Sequence, residues 1–253
     1  MSELAVPRPG FGVWLMAARP RTLSAAVSPV LVGTAIAHRA GALRPLPAFL
    51  ALLASLFIQI GTNFANDYSD FKRGADANRL GPQRVTQSGL VAPGTVKLAA
   101  WIAFGISGVL GIGLAALSGW PVIAIGVASV AAGWLYTGGP WPLGYHGLGD
   151  LFVFVFFGLV ATCGTAYAQA LFVPHEAWVA GAAVGSLATA ILVVAPFALA
   201  LLLGTAWPLL ALVAAIPALR TVLKEEGAAL NRGLGQTARL QILYSVLLTA
   251  GLW

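Results

Sequence analysis

"PAFLALLASLFIQIGTNFANDY", running from Pro47 to Tyr68, decides the fold class. It carries no charge before Asp67, and about 20 apolar residues are enough to cross a bilayer as a helix. Its last turns differ. Asn63, Asn66, Asp67 and, just beyond, Asp70 recur at i, i+3, i+4 and i+7, which puts four oxygen-bearing side chains on one face of the helix end. An apolar rod tipped with amides and carboxylates reads as a membrane span with a functional group at its edge.

The rest of the chain agrees. Of 253 residues, 59% are hydrophobic and 9% charged, where a soluble domain carries roughly 25% charged residues. Ten-residue segments that alternate polar and apolar, as a membrane barrel requires, are not visible, so the class is all-α and polytopic. Phe11 to Ala18, closed by Arg19-Pro20-Arg21, reads as an interfacial helix. Leu23 to His38 is expected as the first span, interrupted at Pro29, and Pro47 to Tyr68 as the second. Thr95 to Leu117 follows, with Ala103, Ser107, Gly111 and Ala115 as a small-residue packing face. Pro121 to Thr137, Asp150 to Leu171 and Trp178 to about Val194 complete six spans in one domain, residues 1–253.

The net charge of +6 resides in loops, where it sets membrane orientation and contacts anionic lipid or substrate; no nucleic-acid partner is implied, and no obligate protein partner is evident. Arg8, Arg19 and Arg21, then Lys72, Arg73, Arg79, Arg84 and Lys97, outnumber Arg39 and Arg44 on the opposite side. The N-terminus and the 69–94 loop are therefore expected in the cytoplasm, with the 138–149 loop beside them by parity, in a multi-pass protein of the inner (cytoplasmic) membrane. No apolar leader precedes a cleavage site, and the single cysteine, Cys163, excludes a disulfide framework. From Ala177 to Leu219 nothing is charged, and the clear turn is Gly204 to Pro208. Without a further crossing before that turn, Arg220, Lys224, Arg232 and Arg239 would face outward, and the stretch from Val194 to Gly204 is too short to cross. A helix or loop is expected to be missing from this chain near Val194-Ala195.

Clustered hard oxygens suit Mg²⁺, which takes one or two carboxylates and keeps other positions for water and phosphate. Lys72, Arg73, Arg79 and Arg84 would meet the charge of a polyphosphate, so the stretch points to a diphosphate ester with an apolar tail. The plainer alternative, a solvated loop whose charges pair with one another, suits Lys97, Arg39 and Arg44 best; for Asp76 the two readings balance. A second polar patch, "YTGGPWPLGYHGLGD" (Tyr136 to Asp150), reads as an ordered re-entrant loop rather than a nucleotide loop, because no strand precedes it. His146 is expected to be an ordinary loop residue, and His175-Glu176 lacks the second histidine of a zinc motif.

Five stretches carry a resemblance: "RPRTL" (Arg19 to Leu23), "PVLVGTA" (Pro29 to Ala35), "NDYSDFKRGAD" (Asn66 to Asp76), "GPQRVTQSGL" (Gly81 to Leu90) and Tyr136 to Gly158. Together they resemble the UbiA superfamily of intramembrane prenyltransferases, nearest its menaquinone-pathway branch. The resemblance covers about residues 11–194 and implies a bundle of about nine helices around a central cavity. It implies transfer of a prenyl group from a polyprenyl diphosphate to 1,4-dihydroxy-2-naphthoate, with decarboxylation to a demethylmenaquinol and Mg²⁺ as cofactor. Asn66 and Asp70 match the first Asp-rich motif, with Asp67 and Asp76 inside it; Asn66, Asp67 and Asp70 are the implied metal-diphosphate set. Asn63, Lys72, Arg73, Arg79 and Arg84 would serve the diphosphate, and Asp150, Tyr136 and Arg21 the acceptor or the cavity. The family's second Asp-rich stretch, after span six, has no counterpart here, at the same junction that charge parity marks. Two rival readings are a superfamily enzyme with another aromatic or polyol acceptor, and a cation-coupled transporter using Asp67 and Asp70.

Overall fold

The computed structural model describes residues 9–76, 83–189, 200, 202–211, 215–217, 221 and 230–253, with residues 230–234 as backbone only. Among these residues the structure is helical, with no strand. The principal elements are α1 (Phe11–Ala18), α2 (Ser24–Arg39), α3 (Pro45–Lys72), α4 (Pro93–Ser118), α5 (Pro121–Leu135), α6 (Gly149–Ala170), α7 (His175–Thr189) and α8 (Leu230–Leu252). Helices α3, α4 and α6 are long and apolar enough to cross a membrane, and the shorter α5 is also apolar.

Helix α3 starts with proline in its first turn, where the missing N–H costs nothing, and runs 28 residues. At about 1.5 Å per residue it reaches some 42 Å, longer than the hydrocarbon core. Ser69 to Lys72 are therefore helical, and the loop expected from residue 69 begins at Arg73. Helix α2 runs unbroken through Pro29, which corrects the expected interruption; Pro29 is fully buried there. Helix α5 ends at Leu135, two residues before the expected Thr137. The end of the sixth expected span and the Val194-Ala195 junction lie outside the described residues.

Small residues bring the helices together. A Cβ on Gly61 of α3 would lie 2.7 Å from the ring of Phe104 on α4, and one on Gly133 of α5 would lie 2.3 Å from Thr62 Oγ1. On α6, a Cβ on Gly158 would lie 2.5 Å from the Cα of Gly185 on α7, so those two backbones touch. The middle of α6, Phe154–Val160, is π-helical. Trp101, Ile102, Val109 and Ile112 of α4 are exposed, as a lipid-facing side requires. Ion-pairing is not needed at the opposite end of α3: there Arg44 donates to Leu117 O at the C-terminus of α4, 3.0 Å away.

Candidate active site

The polar end of α3 is buried. Asn63, Asn66, Asp67 and Asp70 all lie beneath the surface, and each has a partner. Asn63 Nδ2 donates to Ala18 O (2.8 Å) and Thr22 Oγ1 (2.9 Å), and Gln59 Nε2 donates to the same Thr22 hydroxyl (3.2 Å). These bonds pin the Pro20–Thr22 turn, and with it the "RPRTL" stretch, to α3.

One turn on, the stripe divides. The two oxygens of Asp67 accept from the backbone N–H groups of Val85 (3.1 Å) and Thr86 (3.2 Å). Asn66 Oδ1 accepts from Thr137 Oγ1 (2.7 Å) in the loop after α5. Asp70 accepts from Arg84 Nη2 (2.6 Å) on one oxygen and from the Tyr145 hydroxyl (2.7 Å) on the other. Arg84 Nε lies 3.5 Å from Asp76, so one buried guanidinium stands between two buried carboxylates. Burial with charge-assisted pairing is what makes this arrangement energetically tolerable.

The other expected residues distribute around this cluster. Arg73 donates to the carbonyls of Thr137 (3.1 Å) and Gly139, and stacks over the Tyr145 ring at 5.9 Å. Lys72 and Asp150 are exposed, Asp150 in the first turn of α6. Tyr136 closes α5; its carbonyl accepts from Gly144 N (2.8 Å), and its hydroxyl would lie 2.9 Å from a Cβ on Gly149, so that glycine leaves it room. Burial, and then the negative charges of Asp150 and Asp70, push the Tyr136 phenol above its usual range. Burial, then the hydrogen bond to Asp70, pushes Tyr145 up to about 12. Arg21 lies apart, with Arg239 on the wall of a pocket between the Pro20–Thr22 turn and α8. Arg79 lies outside the described residues. His146 packs against Trp141 and bonds Pro142 O (2.8 Å), an ordinary loop role. Thr22, Thr137 and Tyr145 are the partners that sequence reasoning did not single out; the last two sit inside the quoted Tyr136–Asp150 stretch.

Below the cluster lies an apolar pocket lined by Thr62 and Tyr136 and by Phe152, Phe156 and Phe157 of α6. A second apolar pocket shares Ser55, Ile58, Ser129 and Ala161 with it and continues toward Leu114 and Val122. The two form one groove that runs along α3 from its polar end. Among the described residues no three His, Cys, Asp or Glu side chains form a complete metal cage. The donor set suits a hard cation as the protein's part of a shared site: Asn66 and Asp70, four apart on α3, offer an amide and a carboxylate oxygen, and phosphate and water would complete the coordination.

The chain matches the UbiA prenyltransferase family over residues 26–197. It is similar to the 1,4-dihydroxy-2-naphthoate octaprenyltransferase of Mycobacterium leprae, 45% identical over 72% of this chain and 62% of the relative. The Escherichia coli enzyme of the same name is 38% identical over 71% of this chain and 60% of the relative. A third, from Bacillus subtilis, is 42% identical over 56% of this chain and 46% of the relative. The matched stretch thus spans about three fifths of the first two relatives.

Proposed function

Because the chain belongs to the UbiA prenyltransferase family, we propose that it transfers a polyprenyl group from an allylic diphosphate to 1,4-dihydroxy-2-naphthoate. The observation that carries this reading is the buried Asn66–Asp70–Arg84 cluster at the mouth of an apolar groove, a charged head site above a hydrocarbon tail site. The names of the relatives supply the acceptor and suggest a long prenyl donor.

In this reaction the allylic C–O bond breaks and its electron pair leaves with the diphosphate. The ring carbon bearing the carboxylate attacks the allylic carbon, and loss of CO₂ returns its electron pair to the ring, giving a demethylmenaquinol. Arg84 holds a fixed positive charge where the leaving diphosphate gains negative charge; Lys72, at the end of α3, would add to it, and the sequence assigns Arg79 the same role. Asn66 and Asp70 would hold Mg²⁺, which supplies further neutralisation of the leaving group. The phenylalanines of α6 keep water from the allylic cation. Tyr136, at the boundary between cluster and groove, and Asp150 would face the acceptor side, and Arg21 would serve the cavity from the separate pocket beside α8. The lysine and arginine bias of the loops supports a site open to the cytoplasm, in the inner membrane. The carboxylates occupy the end of α3 rather than its middle, against the transporter reading.

The test is incubation of detergent-solubilised protein with Mg²⁺, octaprenyl diphosphate and 1,4-dihydroxy-2-naphthoate. Prenylated, decarboxylated product is expected, dependent on Asp70. Product with a different aromatic acceptor alone would reassign the acceptor, and undiminished product from Asp70→Ala would sink the role of that residue.

A further inference from the structure

Asp67 stands within the acidic motif yet faces differently from its neighbours. It is 1% exposed, and both carboxylate oxygens accept backbone N–H groups, of Val85 and Thr86. Those groups begin a single helical turn: Ser88 N donates to Arg84 O (3.0 Å) and Leu90 N to Val85 O (3.0 Å). The first N–H groups of any helical turn lack partners within it, and an acceptor side chain just upstream normally caps them. Here the residue in that place is Arg84, which has donors only. An acceptor must come from elsewhere, and α3 supplies it. The polarity fits as well, since the N-terminus of a turn favours negative charge.

We infer that Asp67 is a positioning residue: a cap supplied in trans by α3 to the Val85–Gly89 turn, which holds Arg84 against Asp70, rather than a ligand of the metal-diphosphate. Asp67 and Asp70 are three residues apart on one helix. Together they fix Arg84 at both ends, the start of its turn through Asp67 and its guanidinium through Asp70 at 2.6 Å. Arg84 is 6% exposed and its Nη1 has no hydrogen-bond partner, so the guanidinium retains a free donor for an incoming oxyanion while its position is set from behind. The carboxylate is required because an amide would turn one N–H donor toward another.

The inference rests on the prenyl-diphosphate reading for its kinetic arm only. The purified full chain in detergent is subjected to amide hydrogen–deuterium exchange over residues 84–91, as wild type and as Asp67→Asn, and both are titrated with Mg²⁺ in the prenyl-transfer assay. The expected result is slow exchange at Val85 and Thr86 in the wild type, accelerated about tenfold or more in Asp67→Asn. KM for the diphosphate rises by a similar factor, and half-saturating Mg²⁺ shifts less than twofold. Added to Arg84→Gln, Asp67→Asn lowers kcat/KM by less than twofold further, because both act through one side chain. Wild-type amides at 85 and 86 that exchange at the free rate would overturn the proposal without any variant. A tenfold rise in half-saturating Mg²⁺, with exchange unchanged, would return Asp67 to the metal. Absence of prenyl transfer by the wild type would remove the kinetic arm and the proposed function, leaving the exchange result to decide the cap.

Discussion

Two loops close over the end of α3, and they are fastened in opposite ways. The Arg84–Val91 turn is held by its backbone: Val85 is fully buried, Thr86 and Val91 nearly so, and the Asp67 carboxylate caps its first amides. The Tyr136–Asp150 loop is held by side chains, through Thr137 to Asn66 and Tyr145 to Asp70, while Trp141 (53%) and Tyr145 (49%) stay exposed. The backbone of the first loop is attached through a carboxylate that the proposed chemistry does not use, and only its Arg84 side chain reaches Asp70. The second is attached through the two side chains that would meet metal and diphosphate. One loop therefore presents a charge from a position set by its backbone, and the other is tied directly to the two side chains proposed for metal and diphosphate.

The largest effect is expected from the residue both loops share. Asp70→Ala removes the acceptor for Arg84 and Tyr145 together, and prenyl transfer should fall roughly 10³-fold; product formation above a tenth of wild type would break the account of the cluster. Next, Arg84→Gln should lower kcat/KM about 10²-fold, with Arg84→Lys recovering part of it, since an ammonium cannot fork toward Asp70 and Asp76. Tyr145→Phe touches the second loop alone. It deletes one hydrogen bond, about 1 kcal/mol, and should raise KM for the diphosphate about fivefold with little change in kcat. Its pH dependence has a definite sign. With the phenol raised from 10 to about 12, the neutral donor is fully present below pH 10, and its contribution is lost as pH rises from 10 through about 12. The difference between wild type and Tyr145→Phe should be constant from pH 6 to 9 and fade above 10. An effect as severe as that of Arg84→Gln would erase the contrast between the loops. Smallest is Arg73→Ala, which frees the Thr137 and Gly139 carbonyls; activity should change about threefold or less, with faster proteolysis within residues 138–148.

Much of this arrangement was legible because the membrane simplifies the code. An uncharged run such as Pro47 to Thr62 has few options besides a helix, and the boundaries of α1, α4 and α6 follow from the same reasoning within a few residues. The gathering of Asn63, Asn66, Asp67 and Asp70 at one helix end was equally plain from their spacing. How the stripe would divide was not. The four members share an arc of about 100° around α3, so spacing cannot say which side chain meets Thr22, which the 84–91 turn and which Thr137. Those partners arrive from 14 to 75 residues away, and only tertiary packing selects them. Pro29 misled in the other direction. Proline interrupts isolated helices, but inside a packed bundle a helix can run through it.

The π-helical middle of α6 has an effect on phase. Phe152 and Val153, Phe156 and Phe157, Val160 and Ala161, Gly164 and Thr165 come in pairs four residues apart, and all line the two joined pockets. In a regular α-helix, with 3.6 residues per turn, a four-residue step overshoots by about 40°, so such pairs would wind out of the groove within three steps. The wider turns from Phe154 to Val160 cancel that drift. The wall that lines the pockets is thus straight, as the proposed prenyl tail would require, and deleting one residue from this segment would twist the wall away without changing what it is made of.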